Sequence, residues 1–199
     1  MEDTQTEPTD MTRVIARLML TLLRSALLSV VCIAAMGEVA AQAQGGAPSE
    51  YEVKAVFLYN FAKFVEWPSG AFSEGSPFII GVLGNDPFGD NLDKTVKSKS
   101  IDGRKIAVRH IDRVENAKSC HILFVSRSEK GRLNKIMDQL EKSSTLTVGD
   151  TDGFLQRGGM INFFIESKKV RFEINPNAAE RAKLRISSKL LSLARVVRR

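Results

Sequence analysis

Polar side chains follow three apolar segments of strand character, and they are the first candidates for chemistry in this sequence. They are Asn85, Asp86, Ser126, Arg127, Asp150 and Asp152. Ligands bind beyond the carboxyl ends of parallel strands, so a site of a sheet protein would form here. Carboxylates would suit a phosphoacceptor or magnesium site. However, no acidic pair follows the first of these strands, and a later strand is followed by Ser126-Arg127 instead of an aspartate. We therefore expect turn-forming aspartates, whose side chains accept hydrogen bonds from loop amides.

The other catalytic patterns that we considered are incomplete. The segment 84–89 has neither the ending of a phosphate loop nor the spacing of a dinucleotide fingerprint, and no nucleophile elbow is followed by a histidine. Cys120 and His121 are adjacent, but neighbouring strand residues point to opposite faces, and His110 is the one other histidine of the chain. We predict no catalytic residues, no metal, no cofactor, and a buried, inert Cys120 thiol.

One amphipathic helix organises the elements that would position such residues. Ser49 and Glu52 form a capping-box pattern, and Pro68 disfavours helical backbone at the residue before it. Between them, apolar and aromatic residues recur at three- and four-residue steps, which predicts an inward stripe. Its members are Val53, Val56, Phe57, Asn60, Phe61, Phe64 and Val65.

The segments after this helix alternate between strand and helix patterns. Strands are predicted at 78–83, 105–111, 120–125 and 145–148, with a helix capped by Asp86 after the first and a helix from Ser126 or Ser128 to about Lys142. Segments 160–166 and 170–175 read as an antiparallel hairpin, then Asn175 caps one helix and Ser187 starts the last. The pattern predicts a three-layer α/β sandwich, with a mostly parallel sheet and an antiparallel C-terminal hairpin.

The first 43 residues have the character of an N-terminal extension and a cleavable signal peptide. Residues 1–10 are acidic, whereas the segment from Met11 carries positive charge before an apolar run at 25–36, so translation starts at Met1 or, as we favour, at Met11. We expect cleavage after Ala41 or Ala43 and a domain at 49–199; an uncleaved anchor remains the alternative. Removal would leave Cys120 as the single cysteine and raise the net charge from +6 to +8.

Basic residues gather near the C-terminal end of the sequence. A solvated face is the simplest explanation, and a partner or an anionic membrane surface is the other. No aromatic residues alternate with these cations as a nucleic-acid stacking platform requires, so nucleic acid is not an expected partner.

Five motifs follow one another in order along the chain: 54–68 (KAVFLYNFAKFVEWP), 120–125 (CHILFV), 158–163 (GGMINF), 170–175 (VRFEIN) and 186–194 (ISSKLLSLA). Together they resemble the YfiR family of bacterial periplasmic proteins. The resemblance implies a non-enzymatic α/β regulator that binds the periplasmic part of a membrane-bound diguanylate cyclase and lowers cyclic-di-GMP. The expected contact surface for a partner or ligand comprises Arg171, Glu173, Asn175, Arg185 and Ser187.

This sequence departs from the family pattern at one position. Family members that pair the cysteine before the His-Ile-Leu-Phe run carry a second cysteine in the first strand, where this chain has Gly81. Redox sensing through an internal disulfide is therefore not expected, and pairing of Cys120 between chains stays open, as does a symmetric homodimer. The alternative function is a periplasmic small-ligand sensor acting through another membrane receptor such as a histidine kinase. An enzyme that uses Asp86, Asp150 or Asp152 is the third hypothesis.

Overall fold

The structure is a computed structural model, and it describes residues 47–198. Its helices and strands, which short 3₁₀ turns connect, follow in chain order: α1 (Glu50–Phe64), β1 (Val65–Glu66), β2 (Phe78–Leu83), α2 (Asp90–Val96), β3 (Ser100–Ile101), β4 (Arg104–Ile111), β5 (Ile122–Val125), α3 (Leu133–Leu140), β6 (Leu146–Gly149), β7 (Ile161–Glu166), β8 (Lys169–Ile174), α4 (Pro176–Arg181), β9 (Arg185–Ile186), α5 (Ser188–Leu191) and β10 (Arg195–Val196). The expected signal peptide at 1–43 lies outside the described residues. Within them, no helix is long and apolar enough to cross a membrane.

Eight strands form one mixed sheet in the order β10-β8-β7-β6-β5-β2-β4-β3. The central strands β4, β2, β5, β6 and β7 are parallel, while β7 and β8 form an antiparallel hairpin. Every residue of β2, β5 and β6 is buried, as expected for strands covered on both faces. This arrangement confirms the predicted α/β fold with a mostly parallel sheet and a C-terminal hairpin.

Two apolar cores lie on the two faces of the sheet. The larger one joins α1, α2, α4 and α5 to side chains such as Ile80, Phe124 and Phe163. The smaller one joins α3 to the opposite side chains of the same strands, including Ile79 and Leu123. Because successive strand residues point to opposite faces, the fully apolar strands supply both cores at once, which produces the three layers.

Helix α1 begins at the predicted cap, but its buried face differs from the predicted stripe. Ser49 and Glu52 form the complete capping box. The helix ends at Phe64, because Val65 adopts extended backbone and pairs with Ile186 of β9. Val56 is 46% exposed, and the buried residues are Lys54, Ala55, Leu58, Phe61 and Ala62. The predicted stripe was wrong at its N-terminal end because a lysine occupies the buried position there.

The helix after β2 starts later than predicted. Asp86 accepts a hydrogen bond from the Phe88 N–H at 2.7 Å and so forms a local turn, while α2 begins at Asp90 behind Gly89. The prediction that Asp86 caps this helix was therefore wrong. Its predicted inward side chains Phe88, Leu92 and Val96 are nevertheless buried.

The C-terminal segment contains less helix than predicted. Asn175 caps α4 by accepting from the Ala178 N–H, as expected, but the helix after Ser187 is one turn long. The segment expected as a break forms β9 with Arg185, and Arg195–Val196 forms β10 beside β8. These short pairings link distant segments, so local sequence patterns did not indicate them.

Candidate functional site

A buried ion pair lies where the first turns of α1 meet the carboxyl end of β6. The Nζ atom of Lys54 lies 2.6 Å from Oδ2 of Asp150, and each of these side chains is 1% exposed. The same carboxylate oxygen accepts a hydrogen bond from the Tyr51 hydroxyl at 2.9 Å. Lys54 also pairs with Glu50 one turn earlier in α1. The buried lysine charge is therefore neutralised by two carboxylates, as burial of a charge requires.

Arg127 joins this cluster from the carboxyl end of β5. Its Nε atom donates to the carbonyl oxygen of Asp150 at 3.1 Å and lies 3.3 Å from the Oδ2 atom of Asp150, while Nη2 lies 3.7 Å from Glu50. The structure thus brings together Arg127 and Asp150, two candidates that the sequence placed at strand ends. We call Glu50, Tyr51, Lys54, Arg127 and Asp150 the α1 anchor.

Three of the other candidates, Asn85, Asp86 and Asp152, make their contacts outside the α1 anchor. The Asn85 N–H donates to the Ser128 hydroxyl, and Asp86 lies 3.2 Å from His110. The Asp152 carbonyl accepts from the Arg157 side chain. In residues 47–198, no group of three or more histidine, cysteine, aspartate or glutamate side chains is placed to hold a metal ion.

The α1 anchor is suited to holding elements together. Burial, followed by the hydrogen bond to Asp150, raises the pKa of Tyr51 to about 12, so this hydroxyl remains a neutral donor at physiological pH. The ammonium of Lys54 lies 4.3 Å from the centre of the Tyr51 ring, which adds a cation–π contact. The contacts of Lys54 and Tyr51 with Asp150 and of Glu50 with Arg127 join α1 to the loops after β5 and β6, so the cluster holds the helix against the sheet.

Comparison with known proteins places this fold in a family. The family model described as YfiR/HmsC-like matches residues 51–195. The chain belongs to the YfiR/HmsC-like family. This family is regulatory rather than catalytic. The match begins at Tyr51 in the α1 anchor and ends at Arg195 in β10, so it covers nearly the whole described domain.

One solved structure that resembles this YfiR/HmsC-like chain is titled as a conserved domain protein from Vibrio cholerae O1 biovar El Tor strain N16961. The TM-score is 0.53 and the sequence identity is 13%, with 76% of this chain and 60% of that chain covered. At this identity the likeness concerns the fold alone, and this chain spans 60% of the length of that one. A search of curated proteins gives no significant match.

Gly81, where the resemblance implies a second cysteine in some members, lies beside Cys120. A Cβ atom built on Gly81 in β2 would lie 2.6 Å from the sulfur of Cys120, which comes just before β5. Cys120 itself is buried and free, and burial raises the pKa of its thiol to about 11. The prediction of a buried thiol is confirmed, and at neutral pH the thiol is protonated and therefore a poor nucleophile.

His121 is a structural residue in a cluster of aromatic rings. Its Nδ1 atom accepts from the Ile79 N–H at 2.9 Å, so its Nε2 carries the proton toward the Ala71 carbonyl at 3.2 Å. The ring stacks on Phe72 and Phe78 with centroid distances of 4.5 and 4.8 Å. Burial lowers the pKa of His121 and favours the neutral ring that these two hydrogen bonds require.

Three of the five expected contact residues project from strands, and the other two cap helices. Arg171 and Glu173 project from the face of β8 that is opposite to Phe172, whose ring packs toward α1. Arg185 is exposed beside the C-terminal end of α1, where it pairs with Glu66. Ser187 caps α5 and Asn175 is 1% exposed and caps α4, so these two side chains are used within the fold.

Lys54 is the residue that sequence reasoning missed. Counting from it, Leu58, Phe61, Ala62 and Val65 continue a helical face at steps of three and four. A lysine at the start of such an apolar series, four residues after Glu50, was the available signal. The signal was weak because charged residues are almost never fully buried without a partner, and the partner Asp150 lies 96 residues away.

Proposed function

We propose that this YfiR/HmsC-like protein is a periplasmic regulator that binds the periplasmic domain of an inner-membrane diguanylate cyclase and lowers cyclic-di-GMP. The observation that carries the proposal is the family match across residues 51–195. A regulator of this kind acts by holding its partner in one state, because a binding protein shifts an equilibrium only through differential affinity. The fold supports this role by presenting a rigid sheet with a fixed α1.

Export to the periplasm is part of the proposal. The segment 1–43 has the charge and apolar pattern of a signal peptide, and cleavage after Ala41 or Ala43 would leave the domain at 49–199 in that compartment. The processed protein would carry a net charge of +8, which favours association with an acidic face of a partner or with anionic lipid head groups.

The proposed partner contacts include two exposed arginines that lie in different parts of the fold. Arg171 on β8 and Arg185 on β9 are exposed, and each neighbours a residue of the expected set, Glu173 and Ser187 respectively. Arginine suits this role because its planar guanidinium binds carboxylates through two parallel hydrogen bonds. Asn175 would contribute through the backbone shape that its cap maintains.

The test is capture of the cyclase from solubilised membranes of the source bacterium by the affinity-tagged full chain. We expect a diguanylate cyclase in the captured fraction and a mature N-terminus at residue 42 or 44 by mass spectrometry. The double variant R171E/R185E should reduce capture about tenfold or more, since every 1.4 kcal/mol of lost interaction is tenfold in affinity. The matched control K97E/K130E makes the same charge change at two other exposed lysines.

Two results would contradict the proposal. A captured fraction that contains no diguanylate cyclase would remove the proposed partner. Equal loss of capture in R171E/R185E and in K97E/K130E would show that net charge alone drives the association, and it would remove the proposed surface.

A further inference from the structure

A large cleft lies at the amino ends of the parallel strands, at the sheet edge opposite to the α1 anchor. It has a volume of about 710 Å³. Its wall is formed by the residues before β2, β5 and β6, including Pro77, Cys120 and Ser144. Sites in α/β sheets usually form at the carboxyl ends, but here that edge is occupied by the ion pairs of the α1 anchor. The cleft therefore lies at the edge opposite to the one where a site in such a sheet usually forms.

Three lysines from separate segments line this cleft. Lys118 precedes β5, Lys142 precedes β6, and Lys183 lies between α4 and β9. No aspartate or glutamate is among the lining residues, and within residues 47–198 none of the three lysines forms an ion pair. Like charges that converge on a concave surface raise its positive potential, because low-dielectric walls focus the field.

The cleft also contains uncharged hydrogen-bond donors, and contacts within the fold hold part of its wall in place. Five serines line it, and in the described chain the hydroxyls of Ser73 and Ser144 make no hydrogen bond. His121 forms part of the wall and is held by its two ring hydrogen bonds and by stacked aromatic rings. Lysine ammonium groups and serine hydroxyls together are donors for phosphate or carboxylate oxygens.

We infer that this cleft binds a small organic anion with at least two negative charges, which Lys118, Lys142 and Lys183 hold. Its volume lies in the range of about 300–1,000 Å³ that is typical of small-molecule sites, so a ligand larger than inorganic phosphate fits. The inference does not depend on the proposed cyclase partner. It adds a ligand site to the regulatory domain, on the loops that lead into β5, β6 and β9.

The test is isothermal titration calorimetry of the purified full chain with two anionic probes and one uncharged control. The probes are glucose 6-phosphate and citrate, which separate phosphate-ester from carboxylate recognition, and the control is glucose. We expect binding of at least one anion, no binding of glucose, and affinity that falls as salt is raised because the lysines are partly screened.

Variants locate the binding in the cleft. K118Q/K142Q/K183Q should weaken binding roughly tenfold or more, since loss of each 1.4 kcal/mol is tenfold. K97Q/K130Q/K168Q removes the same number of charges at other exposed lysines and should bind as the parent does. All six side chains are exposed, so both variants should fold, which circular dichroism verifies. The inference is overturned if neither anion binds at millimolar concentration, or if both triple variants lose affinity equally.

Discussion

Lys54 is a fully buried charged residue whose removal should have a large energetic consequence. Its ammonium and the Asp150 carboxylate are both removed from water, so each depends on the other for neutralisation. A buried pair adds little net stability over an apolar pair of the same size, but removing one partner leaves an uncompensated charge. The ion pair therefore acts as a constraint on α1, because any displacement of the helix separates the charges.

The variant K54M tests this constraint. It leaves Asp150 with Tyr51 and the exposed Arg127, so we expect the free energy of unfolding to fall by about 3 kcal/mol, at the lower end for a broken buried pair. Urea denaturation followed by circular dichroism measures this change. The matched control K94M breaks the exposed pair of Lys94 with Asp90, and it should cost less than about 1 kcal/mol.

The double variant K54M/D150L decides between pairing and packing. If the charge left on Asp150 causes the loss, removal of both charges should recover much of the stability. A K54M protein as stable as the parent, or a double variant less stable than both single variants, would contradict the assigned role.

The buried ring of His121 should make the free energy of unfolding depend on pH. Because burial lowers the pKa of the folded ring below its ordinary value of about 6.5, the unfolded chain binds a proton first as the pH falls. The stability that the neutral ring contributes is fully present above pH 6.5 and is lost as the pH falls toward the folded pKa. A single proton changes the free energy of unfolding by at most about 1.4 kcal/mol per pH unit.

The measurement is the free energy of unfolding of the parent and of H121Q between pH 7 and pH 5. The decline with falling pH should be shallower in H121Q, because the titrating group is absent. H110Q removes the exposed histidine and should keep most of the parental slope. Identical slopes in the parent and in H121Q would show that His121 does not titrate differently in the two states.

At the scale of elements, the helix and strand types were predictable wherever the pattern was local. The capping box of α1, the apolar runs of β2 and β5, and the Asn175 cap each depend on residues within a few positions of one another. The failures involve distant partners. The sequence alone could not show that Val65 would pair with Ile186, and that pairing ends α1 before Pro68.

The turn between β7 and β8 holds two residues in a strained backbone conformation that substitution should relieve. Ser167 and Lys168 have φ angles of 50° and 61°, the left-handed region that costs L-residues roughly 1–2 kcal/mol. These angles match a type I′ hairpin turn, which favours Asn-Gly. The variant S167N/K168G should therefore raise the free energy of unfolding by about 1 kcal/mol, measured by urea denaturation.

A substitution to glycine one position later, K169G, is the control for this turn. Lys169 lies in β8, where glycine destabilises by about 0.5–1 kcal/mol, so K169G should lower the stability. If S167N/K168G also lowers the stability, the turn geometry assigned to this hairpin is wrong.

At the scale of the whole molecule, the sequence predicted the α/β architecture but not the location of the α1 anchor or the cleft. The anchor combines Lys54, Arg127 and Asp150 from three segments, and the cleft combines Lys118, Lys142 and Lys183 from three others. The sequence did predict that Arg127 and Asp150 lie at the same edge of the sheet, because ligand sites form where parallel strands end. No comparable rule predicts that the three lysines line one cleft, because each lysine by itself resembles an ordinary solvent-exposed residue.

The domain has two edges with different properties, which shapes its proposed regulatory role. At the carboxyl edge the ion pairs of the α1 anchor bridge the ends of β5 and β6, whereas the amino edge carries the open cleft with its three lysines. Arg185 lies two residues after Lys183 in the chain, so the proposed partner surface and the cleft share a segment. Coupling between them would require a ligand with different affinity for the free and partner-bound protein.

The central claim is that this chain restrains a diguanylate cyclase, and the cellular cyclic-di-GMP concentration tests it most directly. We expect deletion of the gene in the source bacterium to raise cyclic-di-GMP severalfold, measured by mass spectrometry of cell extracts. A plasmid copy of the parent should restore the low level, while R171E/R185E should not. An unchanged cyclic-di-GMP concentration in the deletion strain would contradict the account.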